Sequence, residues 1–521
     1  MPIRSLVPSF SPSLWAALGF ILLLGSLNND SIDMMESQTW DYARLETFPA
    51  FCKELHTDSS SEPQMPMAMF SFWAWARGMG TGELAMRSLN LLWAAIALAA
   101  LARAGRRLSI PWLPLLFAIQ PFVWYYMNYA RTPLMQMAGG TLLLAGGIGY
   151  IRKDTQDGMD GILLCLGAIL LSGASIFGLI PLLAFAAGLA AHGVWRRLRF
   201  PIAGKALFFA TLAILAILGA YYISVLLRGG GGSPIWTLSP ANIFFVAYEF
   251  LGFQGLGPGR QELRFIVKGL SPSREILPFL PGLLILAATY LIVLAAGFKS
   301  WLTRDHRPTP AAPHAAKTEA EAPGGYHSRG HSLISTWLMG LGVPALGVSL
   351  LFLVAWVAGL SFWGRHLAGA FPFYILALAI TIHWGRQGLW RKTGRLAGSG
   401  LFVILLASSL LLRFAPFHRH DDYRGAVAEA LRISASRRSV WWVADHSGGA
   451  YYGLPLSKSM TGTPGEIQFA MNLPNIPEQT PEAIVISRPD NFDIHRTASG
   501  LLASGTYRKV RQLQAFEVWE K

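Results

Sequence analysis

Charged residues are scarce in this sequence. Only 14% of the 521 residues are Asp, Glu, Lys or Arg, whereas 53% are hydrophobic and 18 are Trp. The mean hydropathy is +0.40, and many apolar runs approach the roughly 20 residues that span a bilayer. This balance excludes an ordinary soluble protein and predicts a polytopic α-helical membrane protein.

Cysteine is almost absent. The two cysteines are Cys52, in a polar segment, and Cys165, inside an apolar run. Because they lie at different depths of the predicted membrane protein, the sequence indicates no disulfide framework. It suggests neither a metal site nor a thiol nucleophile.

Acidic residues are outnumbered, 29 against 43 Lys and Arg, which gives a formal net charge of +14. A basic excess is also found in nucleic-acid-binding proteins. Here, however, Arg and Lys cluster in short segments between apolar runs, which is the pattern of cytoplasmic loops. The charge therefore reflects membrane topology, and we predict no nucleic-acid partner.

The apolar runs and the Arg-rich segments between them predict about eleven transmembrane helices of roughly 20 residues. They cover residues 13–27, 84–102, 110–126, 133–151, 161–195 (as two short crossings), 206–227, 276–298, 333–360, 371–384 and 398–412. This topology starts in the cytoplasm and leaves outer loops at residues 28–83 and 228–275. Residues 303–332 are rich in Pro, Ala and charge, so we expect a disordered cytoplasmic linker there.

Residues 418–521 differ in sequence pattern from the predicted membrane domain, residues 1–417, because their apolar segments are short and alternate with polar ones. DDYRGAVAEALRISA is typical of an amphipathic helix, SVWWVAD and EAIVISR of strands, HRTASGLLASG of a helix and AFEVWEK of a final strand. This alternation predicts a small α/β domain, which the topology places outside the cytoplasm. It has neither a Gly-rich phosphate loop nor a nucleophile elbow, so we interpret it as a cap over a membrane site.

The outer loop 28–83 opens with a cluster of acids, which are Asp30, Asp33, Glu36, Asp41 and Glu46. Acids directly after a membrane helix lie at the level of the lipid headgroups, where a carboxylate stays ionised and faces substrates anchored in the bilayer. The cluster is compatible with chemistry at the membrane surface and equally with a solvated loop.

Further segments follow the acidic loop in a characteristic order. EPQMPMAMFSFWAWARGMGTGELAMRSLNLLW is followed by ARAGRRL at a predicted cytoplasmic end and by NYARTPL at the outer end of the third helix, with GRHLAGAFPFYILALA and DDYRGAVAEAL further on. In order and sidedness these segments resemble the GT-C superfamily of polyprenyl-phosphate-sugar-dependent glycosyltransferases, which includes bacterial protein O-mannosyltransferases and aminoarabinose transferases.

The resemblance implies a function at the outer face of the membrane. It implies a glycosyltransferase of the bacterial inner membrane that moves a sugar from a polyprenyl-phosphate donor to an extracytoplasmic lipid, glycan or protein acceptor. Inversion at the anomeric carbon would follow from a single displacement. The resemblance implies no particular cofactor and allows a divalent metal.

Sugar transfer needs a base that accepts the proton of the acceptor hydroxyl. Superfamily members usually carry an adjacent Asp-Glu pair in the first outer loop, whereas this chain has DMMES followed by Asp41. The base therefore stays open among Asp33, Glu36 and Asp41. Counting back from EPQMP, with Glu62 in the place of the family's His, favours Glu36.

The reaction also needs cations that hold the phosphate leaving group. Arg131 matches the superfamily's Arg at the outer end of the third helix, with a snorkelling interface Arg as the alternative. GFQGLGPGRQELR offers Arg260 and Arg264 as an anion cradle, or an ordinary glycine-rich turn. Arg365 and His366 lie in a short outer turn where the family often has a phosphate-facing Arg, although a lone His there is more often structural.

Two other classes of membrane protein fit parts of the pattern. An O-antigen or polysaccharide polymerase or ligase shares the lipid-linked substrate and carries key basic residues in a large central outer loop, as in residues 228–275. A transporter has a similar number of helices, but the sequence shows no internal repeat and no paired broken helices. The long acidic first loop favours the glycosyltransferase.

Overall fold

The structure of the protein is a computed structural model. It describes residues 11–152, 158–191, 193, 202–229, 238–259, 262–263, 273–303, 325–387, 390–458, 463–477 and 479–521. The α-helices before residue 260 are α1 (Pro12–Ser26), α2 (Met34–Ala43), α3 (Phe48–Thr57), α4 (Pro66–Met79), α5 (Glu83–Leu108), α6 (Leu113–Ala118), α7 (Pro121–Met127), α8 (Pro133–Ile151), α9 (Gly158–Ala174), α10 (Leu179–Ala191), α11 (Ile202–Leu227) and α12 (Ala241–Phe250).

The later α-helices are α13 (Leu280–Leu302), α14 (Gly325–Ala358), α15 (Phe371–Gly385), α16 (Arg391–Phe414), α17 (Tyr423–Ala435), α18 (His446–Tyr451), α19 (Pro489–Phe492) and α20 (Thr497–Ala503). Single 3-10 turns connect several of them, at Glu62–Gln64, Ile176–Gly178, Phe253–Gly255, Ser273–Phe279, Gly364–Ala370 and Pro416–His418.

Seven helical segments of the described chain are long and apolar enough to cross a membrane. They are α5, α8, α16, Lys205–Leu227 in α11, Arg274–Leu302 ending in α13, Leu333–Ala358 in α14 and Gly364–Gly385 ending in α15. Shorter apolar helices include α1, α9 and α12. The predicted polytopic helical fold is confirmed, whereas the number of crossings stays a prediction.

Helix α8 lies at the centre of the bundle. In its most apolar stretch 94% of the residues are buried, against 11% in α11, which therefore lies at the periphery. Gly140 of α8 allows the turn Gly364–Ala370 to come close, since a Cβ atom at Gly140 would lie 2.1 Å from the Gly369 carbonyl oxygen. This close contact fixes the turn that carries Arg365.

Two predicted helical runs are interrupted. The run at residues 110–126 is split because Pro121 begins α7, and the residue before it, Gln120, is extended with ψ 131°, as residues before proline usually are. The run at residues 161–195 breaks where α9 ends, and the Ser175 side chain there accepts a hydrogen bond from the Phe177 amide. The end of this second run lies partly outside the described residues.

The prediction of a disordered linker at residues 303–332 is wrong for residues 325–332, which are helical. Helix α14 begins at Gly325 rather than at the predicted Leu333. No proline stands between Gly325 and Pro344, so nothing in the sequence stops the helix from extending beyond its apolar part. Residues 304–324 lie outside the described residues.

The C-terminal part forms the predicted α/β domain. Its strands are β1 (Val440–Val443), β2 (Leu456–Ser457), β3 (Ile467–Phe469), β4 (Ala483–Ser487), β5 (Arg508–Leu513) and β6 (Phe516–Glu520). The sheet order is β2-β3-β1-β4-β6-β5, with β1 to β4 parallel and β6 antiparallel to both of its neighbours. The sequence predicts β1, β4 and β6. It misses β2 and β3, which are two and three residues long, and β5, which is polar and mostly exposed.

The carboxyl ends of the parallel strands lie next to the loop at residues 28–83. Asp445 follows β1 shortly after its end, and its carboxylate accepts a hydrogen bond from the Ser37 hydroxyl at 3.1 Å. Arg488 directly follows β4. Ligands of open α/β sheets usually bind outside the carboxyl ends of the strands. The carboxyl-terminal edge of this sheet can therefore contribute residues to a binding site. The predicted domain boundary at residue 417 stays a prediction.

Candidate active site

Asp33 marks the beginning of α2 and of the site. Its Oδ1 accepts hydrogen bonds from the amides of Met35 and Glu36, both at 2.8 Å, and the Glu36 side chain accepts one from the Asp33 amide at 3.2 Å. This is a capping box, which satisfies the free amides of a helix start. Asp33 Oδ2 receives no hydrogen bond from the described residues and borders a cavity.

Glu36 lies one turn further on and is fully engaged. Arg87 of α5 holds it with two hydrogen bonds, Nε to Oε1 at 2.9 Å and Nη2 to Oε2 at 2.6 Å, and the Ala130 amide donates to Oε1 at 2.8 Å. The side chains of Arg87 and Glu36 are 0% and 1% exposed. Glu36 is therefore one half of a buried, bidentate ion pair.

The two neighbouring carboxyl groups differ in acidity. Burial raises the pKa of Asp33, and the negative charge of Glu36 raises it further. Burial alone would also raise the pKa of Glu36, but the charge and hydrogen bonds of Arg87 outweigh it, and the pKa of Glu36 is lowered. Asp33 therefore takes up a proton more readily than Glu36 does.

Two other predicted site residues, Arg131 and Asp41, make ion pairs and hydrogen bonds with neighbouring residues. Arg131 Nη1 donates to Glu62 Oε1 at 2.5 Å and to the Met35 carbonyl at 3.1 Å. Asp41 pairs with Arg44 at 3.1 Å and accepts a hydrogen bond from the Ser447 hydroxyl of the C-terminal domain. Neither Arg131 nor Asp41 borders the cavity at Asp33.

The cavity has a volume of about 230 Å³ and lies between the membrane helices and the C-terminal domain. It is bordered by the start of α2, the end of α7, α12, the turn at Gly364–Ala370, the connection into α17 and the residues after β4. Its titratable and cationic side chains are Asp33, Tyr125, Tyr129, Tyr248, Glu249, Glu262, Arg365, His418, Arg419, His420, Asp421 and Arg488.

Three arginines of the described chain border this cavity. Arg488 pairs with Asp421 at 2.6 Å, so its charge is already balanced. Arg365 donates from Nε to His366 Nε2 at 3.4 Å, and no described residue accepts a hydrogen bond from its Nη atoms. The exposed Arg419 likewise makes no side-chain hydrogen bond within the described ranges. Of these three arginines, Arg365 and Arg419 are thus open to an anionic ligand.

Of the predicted site residues, the structure brings Asp33 and Arg365 into one cavity. His366 lies behind the cavity wall, where its Nδ1 accepts a hydrogen bond from the Trp363 amide at 3.0 Å and its ring packs on Phe177. Arg260 and Arg264 lie outside the described residues. Pro258 and Glu262 of the same loop border the cavity.

Sequence reasoning misses the part of the site that the C-terminal domain contributes. His420, Asp421 and Arg488 are far from the first loop in the chain. The dense charge of HRHDDYR, directly after the last apolar run, is the signal that points to them. Arg87 is also missed, although an arginine on the outer half of a predicted membrane helix calls for a buried partner.

A polar network fixes the C-terminal domain to the first loop. The Tyr452 hydroxyl accepts a hydrogen bond from the Ile32 amide at 2.9 Å and donates to Glu83 Oε1 at 2.8 Å. Arg424 pairs with the same carboxylate at 2.7 Å. Because Ile32 directly precedes Asp33, this network links the docking of the domain to the position of Asp33.

Among the described residues there is no group of three or more His, Cys, Asp or Glu side chains that could hold a metal ion.

Fold and site together define a multi-pass membrane protein whose C-terminal α/β domain closes a charged cavity at the end of its helices. No protein-family model and no curated protein matches the chain. Among solved structures it is similar to ArnT from Cupriavidus metallidurans, both bound to undecaprenyl phosphate, with 12% identity, and in the apo state, with 10% identity. Each alignment covers 97% of this chain and 97% of that chain, with a TM-score of 0.49.

Proposed function

We propose that this protein is a membrane glycosyltransferase that moves a sugar from a polyprenyl-phosphate donor to an extracytoplasmic acceptor. The observation that carries the proposal is the cavity at the end of the apolar helices. It combines a carboxylate oxygen without a hydrogen-bond partner in the described chain, Asp33 Oδ2, with the open guanidinium groups of Arg365 and Arg419. The GT-C-like order of the sequence segments supports the same function.

Asp33 is the proposed base, in place of the Glu36 that the sequence favours. A general base must reach the proton that it accepts, and Asp33 Oδ2 borders the cavity while both oxygens of Glu36 are bound by Arg87 and the Ala130 amide. The raised pKa of Asp33 also suits the task, since a base works best when its pKa approaches the working pH.

Arg365 and Arg419 are the proposed phosphate ligands. In the reaction, the acceptor oxygen forms a bond to the anomeric carbon while the bond from that carbon to the phosphate oxygen breaks. The acceptor proton passes to Asp33, and polyprenyl phosphate leaves with the electron pair of the broken bond. Guanidinium groups stabilise the charge that develops on the phosphate. A single displacement of this kind inverts the anomeric carbon.

The charges on α5 support a proposal for the side of the membrane on which the site lies. Its first turns carry Arg87, which pairs with Glu36 near Asp33 of the cavity. Its last turns carry Arg103 and Arg107, which pair with Asp160 at 3.1 and 2.6 Å. Positive clusters at one end of membrane helices favour the cytoplasmic side. The cavity and the C-terminal domain at the other end are therefore proposed to be extracytoplasmic.

The experiment is a transfer assay with the purified protein, a polyprenyl-phosphate-linked sugar and candidate acceptors, in which release of polyprenyl phosphate is measured. Asp33→Asn should lower turnover by about 10² to 10⁴ and leave donor binding intact, because the amide keeps the size of the side chain. Glu46→Gln, an exposed acid of the same loop, is the control and should retain full turnover. Full turnover in Asp33→Asn would refute the proposed base, and no release by the wild-type protein would refute the function.

A polysaccharide polymerase or ligase is the second candidate. The observation that favours it is the contribution of the second outer loop, whose residues Tyr248, Glu249, Pro258 and Glu262 border the same cavity. Tyr248→Phe removes the hydrogen bond to the Pro258 carbonyl at 3.0 Å. A larger loss of turnover in Tyr248→Phe than in Asp33→Asn would favour this candidate over the glycosyltransferase.

A further inference from the structure

His420 lies close to two carboxylates at the start of α2, those of the N-cap residue Asp33 and of Glu36. It lies in the connection between the 3-10 turn Pro416–His418 and α17, and its Nδ1 is 4.0 Å from both Asp33 Oδ2 and Glu36 Oε2. Its side chain is 7% exposed. The docking of the C-terminal domain therefore delivers an imidazole to the proposed base.

Two tyrosine rings pack against this imidazole. The ring of Tyr125 stacks on His420 with a centroid distance of 5.8 Å and an interplanar angle of 17°, and that of Tyr129 does so at 6.1 Å and 26°. The centroids of Tyr125 and Tyr129 are themselves 5.9 Å apart, so the two tyrosines pack beside the imidazole and do not enclose it between them. The end of the third predicted membrane run thus contacts His420 as well as bordering the cavity.

The charges around Asp33 show why the imidazole matters. Several charged or titratable groups act on Asp33 from the surrounding elements, which are Glu36, Arg87, Tyr129, Arg131, His420, Asp421, Tyr423 and Arg488. The three arginines among them each pair with another carboxylate, namely Glu36, Glu62 or Asp421. His420 makes no ion pair shorter than 4.0 Å with any described carboxylate.

We infer that His420 is a positioning residue for Asp33, one that keeps the carboxylate ionised and its Oδ2 directed into the cavity. This inference rests on the proposed function only where enzyme activity is measured. When His420 is protonated, its imidazolium places a positive charge beside Asp33, whereas each of the three neighbouring arginines pairs with another carboxylate. An opposite charge within about 4 to 6 Å favours the ionised form of an acid by roughly one to three pKa units, and the Nδ1 to Oδ2 distance lies at the lower end of that range.

Infrared spectroscopy on the full-length protein tests this without any substrate. The carbonyl stretch of protonated Asp33 is identified as the band that Asp33→Asn removes, and its intensity is followed against pH. We expect the midpoint of this titration to rise by roughly one to three pH units in His420→Gln and to return to the wild-type value or below it in His420→Lys. His446→Gln is the matched control, because His446 belongs to the same domain but packs on Phe469 away from the cavity.

The activity of the same variants gives a second readout. If Asp33 is the base, the acid limb of the pH profile of kcat should move upward in His420→Gln with the infrared midpoint, while KM for the donor lipid stays within about twofold. His420→Lys should restore the limb. A residue that only supports the fold would lower activity equally at all pH values, and lysine would not restore it.

The outcomes separate the two proposals. An infrared midpoint that is the same in wild type, His420→Gln and His420→Lys would overturn the role of His420, even if Asp33→Asn abolishes transfer and the proposed function stands. A shifted midpoint in a protein that transfers no sugar would refute the glycosyltransferase and keep His420 as the partner of Asp33.

Discussion

At the scale of single residues, Asp33 and Glu36 lie one helical turn apart but in different surroundings. Asp33 uses one carboxylate oxygen for the helix cap and leaves the other at the cavity. Glu36 spends both oxygens on Arg87 and on backbone amides. A buried ion pair of this geometry tolerates the loss of one partner poorly, since the other charge is left buried without compensation.

We therefore predict that Glu36→Gln acts on stability. The variant should unfold more easily by about 3 kcal/mol or more, because the Arg87 guanidinium loses its counter-charge. Thermal unfolding of the detergent-purified protein measures the loss, with the exposed Glu46→Gln as control. A Glu36→Gln variant that is as stable as the wild type but inactive would restore Glu36 as the candidate base.

Asp445 gives a prediction for pH. Burial raises the pKa of this half-buried carboxyl to about 6, whereas an unfolded Asp titrates near pH 3.9. The folded state thus holds the proton more tightly, so the stability contributed by this group is complete below about pH 4 and is lost as the pH rises through about 6. As the pH rises from about 4 to above 6, the thermal unfolding midpoint of the wild type should fall relative to that of Asp445→Asn. A difference between the two midpoints that does not change with pH would contradict the raised pKa.

At the scale of elements, the local signals of the sequence are strong. Apolar runs predict the membrane helices. The buried strands β1 and β4 are predicted from SVWWVAD and EAIVISR, respectively. DMMES is also a local signal, since an acid followed three residues later by Glu is the mark of a capping box. The sequence pattern at Glu36 therefore fits either a catalytic residue or a capping residue of α2. The hydrogen bonds from Arg87, which occupy the Glu36 carboxylate, favour the structural role.

The candidate site is predicted only in part because its two halves come from distant segments. Asp33 and Arg365 can be found from their positions after membrane helices. His420 and Arg488 reach the cavity only through the docking of the C-terminal domain, and no pattern within the sequence specifies that contact. The hydrogen bond between the Ile32 amide and Tyr452 is likewise a property of the assembled elements.

This docking contact gives a prediction about α2. Tyr452→Phe leaves the Ile32 amide without its partner, at a cost of about 1 to 3 kcal/mol, and should loosen the first turn of α2. Hydrogen exchange of residues 31–37 should become faster, and sugar transfer should fall with it. Tyr507→Phe is the control, since its hydroxyl donates to the Pro481 carbonyl inside the domain. Unchanged exchange in Tyr452→Phe would show that the domain does not hold Asp33 in place.

At the scale of the whole molecule, the separation of charge along α5 predicts the topology. We expect the segment 304–324 in the cytoplasm and Lys521 outside it. Reporter fusions after Lys521 and within that segment should give opposite activities, for example with alkaline phosphatase and a cytoplasmic reporter. A cytoplasmic readout at Lys521 would place the cavity on the cytoplasmic side and contradict the proposed topology of the site.

The central claim is that the cavity between the helix ends and the C-terminal domain binds the donor with Asp33 as the base. The most direct measurement is a cryo-electron microscopy structure of the Asp33→Asn variant in a lipid nanodisc with the intact polyprenyl-phosphate sugar. We predict that the phosphate lies within hydrogen-bonding distance of the Arg365 guanidinium and that the anomeric carbon faces residue 33. A donor bound away from this cavity, at Arg131 or on another face of the bundle, would contradict the claim.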